Sequence, residues 1–222
     1  MTGGQPLNKT ENEPMKQYMK FYMTPGSCST GIHILLEALE LPFEVYIVNL
    51  MAGDQNKPDY MAINPKSTIP TLVRDDGTAL TEFGAIAYWL ARTNPKAKLL
   101  PGDAEGDALV IETMNYVVGT IHGQGFTRIF TTGNFTPNEA DYETVKARGH
   151  EIVEKAFAVM NNVLAGKEYV AGSFSIADVA LFYVEFWADK IKIELPPNCL
   201  AHYQRMLARP VVQQVLREEG YR

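Results

Sequence analysis

The order of apolar patterns along the chain predicts an α/β N-terminal domain followed by an all-α helical bundle. Three observations carry this. Strand-like and helix-like runs alternate from about residue 18 to residue 94. The segment 95–103 is bracketed by Pro95 and Pro101 and breaks the pattern. Beyond it strand signals largely vanish while helical apolar stripes continue. The implied boundaries are a polar extension at 1–17, an α/β domain at 18–94, a linker at 95–103 and an all-α domain at 104–222.

Aromatics and alternation predict a strand near 18–23, and Pro25-Gly26 is turn chemistry. Ile32, Leu35, Leu36 and Leu39 then repeat at i, i+3, i+4, i+7, so a helix is expected near 29–40, capped by Ser29 or Thr30. Residues 42–48 read as a second strand, 53–58 as loop and 59–64 as at most a short helix. Residues 70–74 form a third strand, Asp75-Asp76-Gly77-Thr78 a hairpin turn and Ala79-Leu80 the returning strand. A helix over 83–93 ends before Pro95. In the second half Val153, Ala156, Phe157, Met160 and Leu164 make one helical stripe, and 201–207 and 211–216 are further helices. Ser175 can cap the very apolar run after it while Asp178 reaches back to the cap N–H, so a buried structural helix is expected.

The 222 residues carry a net charge of −6, 46% hydrophobic and 21% charged residues. These are ordinary globular values. With no basic block, a nucleic-acid footprint and an anionic-membrane surface are disfavoured. No apolar stretch approaches a membrane span. The only cysteines are Cys28 and Cys199, and no metal-binding Cys/His spacing occurs. The first seventeen residues lack an apolar signal core, so a cytoplasmic location is expected. They read as a native extension or a cloning remnant, with Met15 or Met19 as alternative starts.

Cys28 falls where strand gives way to helix. Unpaired N–H groups and the positive dipole end favour a thiolate there, so its pKa is expected to fall. Such a position serves as a reactive sulfur or as a cradle for another molecule's sulfur. Cys199, beside Pro196-Pro197 in an expected loop, has no activating context. His150 and His202 show no partners in sequence and read as surface or filler. Asn115 and His122, seven apart, are expected on one face of the first bundle helix.

Asn64-Pro65-Lys66-Ser67-Thr68-Ile69-Pro70-Thr71-Leu72, Leu80-Thr81-Glu82-Phe83-Gly84-Ala85-Ile86-Ala87-Tyr88-Trp89-Leu90 and the Ser175-to-Asp178 cap, in this order and spacing, resemble the soluble glutathione transferases over residues 18–222. Tyr22-x-x-Pro25-Gly26-Ser27-Cys28-Ser29-x-x-x-His33 is similar to the bacterial beta class in particular. The resemblance implies a thioredoxin-like N-terminal domain, glutathione as co-substrate, conjugation of its thiol to small electrophilic apolar substrates, and a homodimer. It also implies a cis Ile69–Pro70 bond, with Ile69 pairing to the glutathione cysteine as an added strand. Glu82 and the Phe83 backbone would hold the γ-glutamyl end; the plain reading of Glu82 is a helix-start acid. Phe83 replaces the family's usual small residue and loses a hydroxyl donor.

Asn115 and His122 match positions facing the glutathione sulfur, and His33 is a weaker candidate of the same kind. Gly123 stands where the beta class usually has Lys. Cys28 matches the cysteine that can form a mixed disulfide with glutathione, while Ser27 occupies the place of the serine that hydrogen-bonds the thiolate in other relatives. Tyr22 lies too early in the strand for the tyrosine role and defaults to packing. Phe126 and Phe130 are candidates for the wall of an acceptor pocket. Two rival functions stay open: glutathione-dependent disulfide reduction through Cys28, and a non-catalytic ligand-binding or partner-binding protein of the same fold.

Overall fold

The computed structural model describes residues 18–221, and the polar segment 1–17 lies outside the described residues. The chain folds as a four-stranded mixed sheet with helices, followed by a helical domain. The strands are β1 (Met19–Met23), β2 (Phe43–Ile47), β3 (Thr71–Val73) and β4 (Ala79–Thr81), in the order β2-β1-β3-β4. β1 runs parallel to β2, with Phe21 opposite Val45. It runs antiparallel to β3, with Phe21 opposite Leu72. Alternation decides the faces: Met19, Phe21 and Met23 are buried, while Lys20 and Tyr22 stay partly exposed.

Helix α1 (Ser29–Ala38) buries Ile32, Leu35 and Leu36 as its stripe predicts. The expected cap differs. Ser29 and Thr30 lie inside the helix, and the Ser29 N–H instead donates to the Ser27 hydroxyl at 3.1 Å. The hydroxyl just outside the first turn is the one placed to reach that donor. Helix α2 is only Pro58–Met61, preceded by one 3₁₀ turn over Asp54–Asn56. Helix α3 (Phe83–Thr93) ends before Pro95 as expected.

Helix α4 (Ala104–Tyr116) continues through a π-helical stretch, Val117–Phe126, into α5 (Thr127–Phe130). The wider π turn corrects the expectation that Asn115 and His122 share a face two turns apart, because seven residues no longer close two turns. Helix α6 (Tyr142–Val163) buries Val153, Ala156, Phe157 and Met160. Helix α7 (Ile176–Lys190) is buried all round from Ile176 to Ala188, which its unbroken apolar run dictates. Its Ser175 N–H and hydroxyl both donate to Asp178 Oδ2, at 2.8 and 2.7 Å.

Helices α8 (Pro197–Ala208) and α9 (Pro210–Glu218) complete the bundle. Cys199 is therefore not in a loop but in the first turn of α8, fully buried, its thiol pushed up to about 12 by burial. Pro196 and Pro197 start that helix rather than preventing it. His202 is likewise not surface: it is buried between Glu185 (2.8 Å) and Asp178 (3.2 Å). Among the described residues no helix is long and apolar enough to cross a membrane.

The sheet unit and the bundle meet where α1 lies on α7. A Cβ at Gly31 would sit 2.8 Å from the Phe83 ring and 2.9 Å from the Val179 carbonyl, so only glycine allows this approach. The contact places the start of α1, and with it Cys28, at the junction of the two units.

Candidate functional site

The turn after β1 presents Ser27 and Cys28 at the head of α1. Ser27 donates its hydroxyl to the Thr24 carbonyl at 2.6 Å and also touches the Ser29 hydroxyl. Cys28 is 6% exposed, and its Sγ donates to the Ile69 carbonyl at 3.7 Å. Burial pushes the thiol up to about 12, and the nearby Glu82 carboxylate adds to this. The backbone N–H groups of Cys28 and Ser29 pull the other way, as the helix start predicts, but desolvation wins. The expected fall in the Cys28 pKa is thus overturned: the thiol is neutral near pH 7.

Ile69 precedes Pro70 across a cis bond, as the resemblance implies. The Ile69 N–H carries no hydrogen bond among the described residues. Asn64 and Tyr60 shape the segment before it: Asn64 donates to the Thr68 carbonyl at 2.8 Å, and the Tyr60 hydroxyl donates to the same carbonyl at 2.5 Å. On the far side, Glu82 occupies the N-cap of α3 with φ +72°, a conformation that non-glycine residues rarely hold. Such strain concentrates at functional sites.

Glu82, Phe83 and Asn115 line one cleft of about 380 Å³ with Tyr88, Ile111 and Met114. It lies between α3 and α4. The Glu82 side chain is 60% exposed and pairs with Lys66 at 2.9 Å. The Phe83 ring does not enter the cleft alone; it packs against Tyr183, centroids 5.3 Å apart, and over Gly31. Its backbone heads the first turn of α3, where N–H groups have no helical partner.

His122 lies apart from that cleft, on an aromatic cluster. Its ring sits edge-on to Trp187 and Tyr183, with Nδ1 3.3 Å from the Tyr183 hydroxyl. Burial pushes its pKa down to about 4, so it is neutral at pH 7. Phe126 stacks on Phe130 and both rings meet Trp187 edge-on; Phe126 is fully buried and Phe130 is exposed. Tyr22 stacks on Tyr46 and has a packing role.

His33 is brought to none of these groups. Its Nδ1 is 2.9 Å from Glu219 Oε1, its Nε2 3.3 Å from Glu218 Oε2, and its ring packs on Phe21 and Phe43. It faces α9, because five residues of helix turn it to the other side of α1 from Cys28.

Sequence reasoning missed three residues here. Glu219 accepts from the Gly26 N–H, the Thr30 hydroxyl and His33, and so ties α9 to the Cys28 turn. Trp187 donates its ring N–H to the Gly26 carbonyl at 2.7 Å. Lys66 holds Glu82. Only Lys66 carried a signal, lying inside the Asn64-to-Leu72 motif; Glu219 and Trp187 meet Gly26 through tertiary packing alone.

The chain matches two family models: the glutathione S-transferase N-terminal domain over residues 26–93, and the glutathione S-transferase C-terminal domain over residues 143–205. It is 38% identical over 207 residues to glutathione S-transferase GstA of Escherichia coli O157:H7, covering 91% of this chain and 99% of that protein. A glutathione transferase homologue from Sulfitobacter, solved with bound glutathione, superposes with a TM-score of 0.85 at 30% identity, over 93% of this chain and all of that one. The beta class glutathione S-transferase of Sphingomonas chungbukensis gives 0.80 at 30% identity, over 91% of this chain and 100% of that one. With both domains matched in order around the cleft and the Cys28 turn, the chain belongs to the glutathione S-transferase family.

Proposed function

We propose that this protein conjugates the thiol of glutathione to electrophilic apolar substrates, with residues 18–94 as the glutathione-binding domain. The observation that carries the reading is the contact of Cys28 Sγ with the Ile69 carbonyl. It sets the N–H groups at the start of α1 beside the Ile69 N–H, which has no partner among the described residues. An extended tripeptide adding to Ile69 as a strand would lay its cysteine sulfur at that helix start. Pro70 has no N–H, which leaves Ile69 as the pairing residue.

Glutathione's γ-glutamyl carboxylate is assigned to the Phe83 N–H at the head of α3, and its amino group to Glu82. Asn115 closes the same cleft from α4. The glutathione thiol gives up its proton to solvent water, and the anion is held by the N–H groups heading α1 and by the neutral Cys28 thiol as a donor, with Ser27 beside it. Each unit taken off a free thiol pKa near 8.5 is worth about 1.4 kcal/mol of preference for the thiolate. His122 is neutral, so it serves as a hydrogen-bond donor and not as a cation. The new S–C bond then forms at an electrophilic carbon laid against Phe130 and Trp187, as that carbon's bond to its leaving group, a halide in an aryl halide, breaks and the anion departs to solvent.

Homodimerisation is part of the same reading, supported by the family. A cytoplasmic location is supported by two unpaired cysteines among the described residues. Calorimetric titration with reduced glutathione tests the proposal. Saturable binding together with turnover of an activated aryl halide is expected; no heat of binding overturns it.

A further inference from the structure

We propose that His33, Glu37 and Glu218 form a binding site for a divalent transition-metal ion of the zinc type, on the outer side of α1 and separate from the glutathione cleft. His33 and Glu37 are four residues apart on α1 and so share a face. The end of α9 brings Glu218 against them. One donor atom from each residue lies within 4.8 Å of the others, so a small turn of the exposed Glu218 arm brings all three within reach of one ion.

The imidazole is prepared for this. Its side chain is 5% exposed, and Nδ1 faces the buried Glu219 carboxylate at 2.9 Å. A carboxylate on one ring nitrogen fixes the tautomer with the proton there, leaving the other nitrogen's lone pair for a metal. That other nitrogen, Nε2, lies 3.3 Å from Glu218 Oε2, a member of the proposed ligand set. Gln214 donates its amide to Glu37 Oε2 and Glu218 Oε1, both at 3.0 Å. Each carboxylate keeps its second oxygen for the ion, including the Glu218 Oε2 that faces the ring.

Charge favours the same occupant. Three carboxylates, Glu37, Glu218 and Glu219, surround one imidazole, and among the described residues no lysine or arginine is ion-paired with any of them. One imidazole with two carboxylates suits zinc and its neighbours rather than the all-oxygen cations. A groove along Pro25, Leu41, Phe43 and Val45 opens beside the site, leaving room for a water as fourth ligand.

The test titrates the full chain with zinc by calorimetry and with cobalt by visible absorption. One ion per chain is expected, with the Glu37→Gln and Glu218→Gln variants each weakening binding at least about tenfold. Both side chains reach the surface, so both variants should fold. Cys28→Ser should bind as the parent does. The proposal is overturned if neither metal binds, if both glutamine variants bind like the parent, or if the cobalt spectrum shows a thiolate charge-transfer band that Cys28→Ser removes.

Discussion

The Glu219 carboxylate accepts the Gly26 N–H at 2.8 Å, across 193 positions of sequence. This bond joins the end of α9 to the turn that carries Ser27 and Cys28. The same carboxylate takes the Thr30 hydroxyl at 2.7 Å and His33 at 2.9 Å. Three donors converge on a side chain that is 2% exposed. Glu219→Ala would strand them all, and a loss of about 3–5 kcal/mol is expected on urea unfolding. The glutathione KM should rise with it, since the Cys28 turn loses its anchor.

Glu82 makes the opposite case. Its pair with Lys66 lies between side chains 53% and 60% exposed, and such pairs stabilise by less than about 1 kcal/mol. Glu82→Gln should therefore leave the melting temperature nearly unchanged. Glutathione affinity should fall about tenfold, equivalent to about 1.4 kcal/mol, because the ligand's amino group loses its charged partner. A matched drop in stability and affinity would show that Glu82 acts only on the fold.

Phe83 departs from the family's usual small residue, and the structure shows what its ring does. It fills the space between Gly31 and Tyr183 at the junction of the two units. Phe83→Ser restores a hydroxyl but empties that space, at a cost of about 3–5 kcal/mol in thermal or urea unfolding. An unchanged melting temperature would mean that the junction repacks.

Cys28 should react slowly as it stands. With its pKa near 12, alkylation by iodoacetamide should keep climbing with pH beyond the free-thiol value of about 8.5. Cys28→Ala separates the two chemistries. Conjugation retained with disulfide exchange lost means that exchange runs through this sulfur; loss of both means that Cys28 supports the glutathione thiolate.

The buried His202 pair gives a pH signature. Burial alone would lower the His202 pKa, but Glu185 and Asp178 outweigh it and raise it to about 10. The folded protein therefore holds a proton that the unfolded chain releases near pH 6.5, so this stabilisation is complete below that value. It is lost as pH rises toward 10. Glu185, raised to about 7 chiefly by burial, adds a loss in the same direction between about pH 4.5 and 7. Melting temperatures should fall from mildly acidic to alkaline pH, and His202→Ala should abolish the alkaline part while costing about 3–5 kcal/mol near neutrality.

Much of the architecture is legible in local pattern. The i, i+3, i+4, i+7 stripe of α1, the Asp76-Gly77 turn, the Ser175–Asp178 cap and the change from strands to helices near residue 94 each depend on neighbours within one or two turns. The cleft residues Glu82 and Phe83 are also legible in sequence, through the motif that contains them, and Asn115 through its match to a beta-class position. Two expectations failed for one shared reason. The Cys28 pKa and the His202 surface assignment both depend on what packs around a residue, which local spacing does not contain. The shared face of Asn115 and His122 failed for another, the π-helical winding of Val117–Phe126.

Sequence by itself determined most of the strands and helices, though not the start of α8 or the π-helical stretch, and where the glutathione-type motifs fall, because backbone periodicity and turn chemistry act over a few residues. Tertiary packing alone decided the state of Cys28, since its desolvation comes from elements far along the chain and exceeds the pull of its own helix start. It also decided that Glu219 and Trp187 hold Gly26, as hydrogen bonds across 193 and 161 positions form only once α7 and α9 have docked on α1.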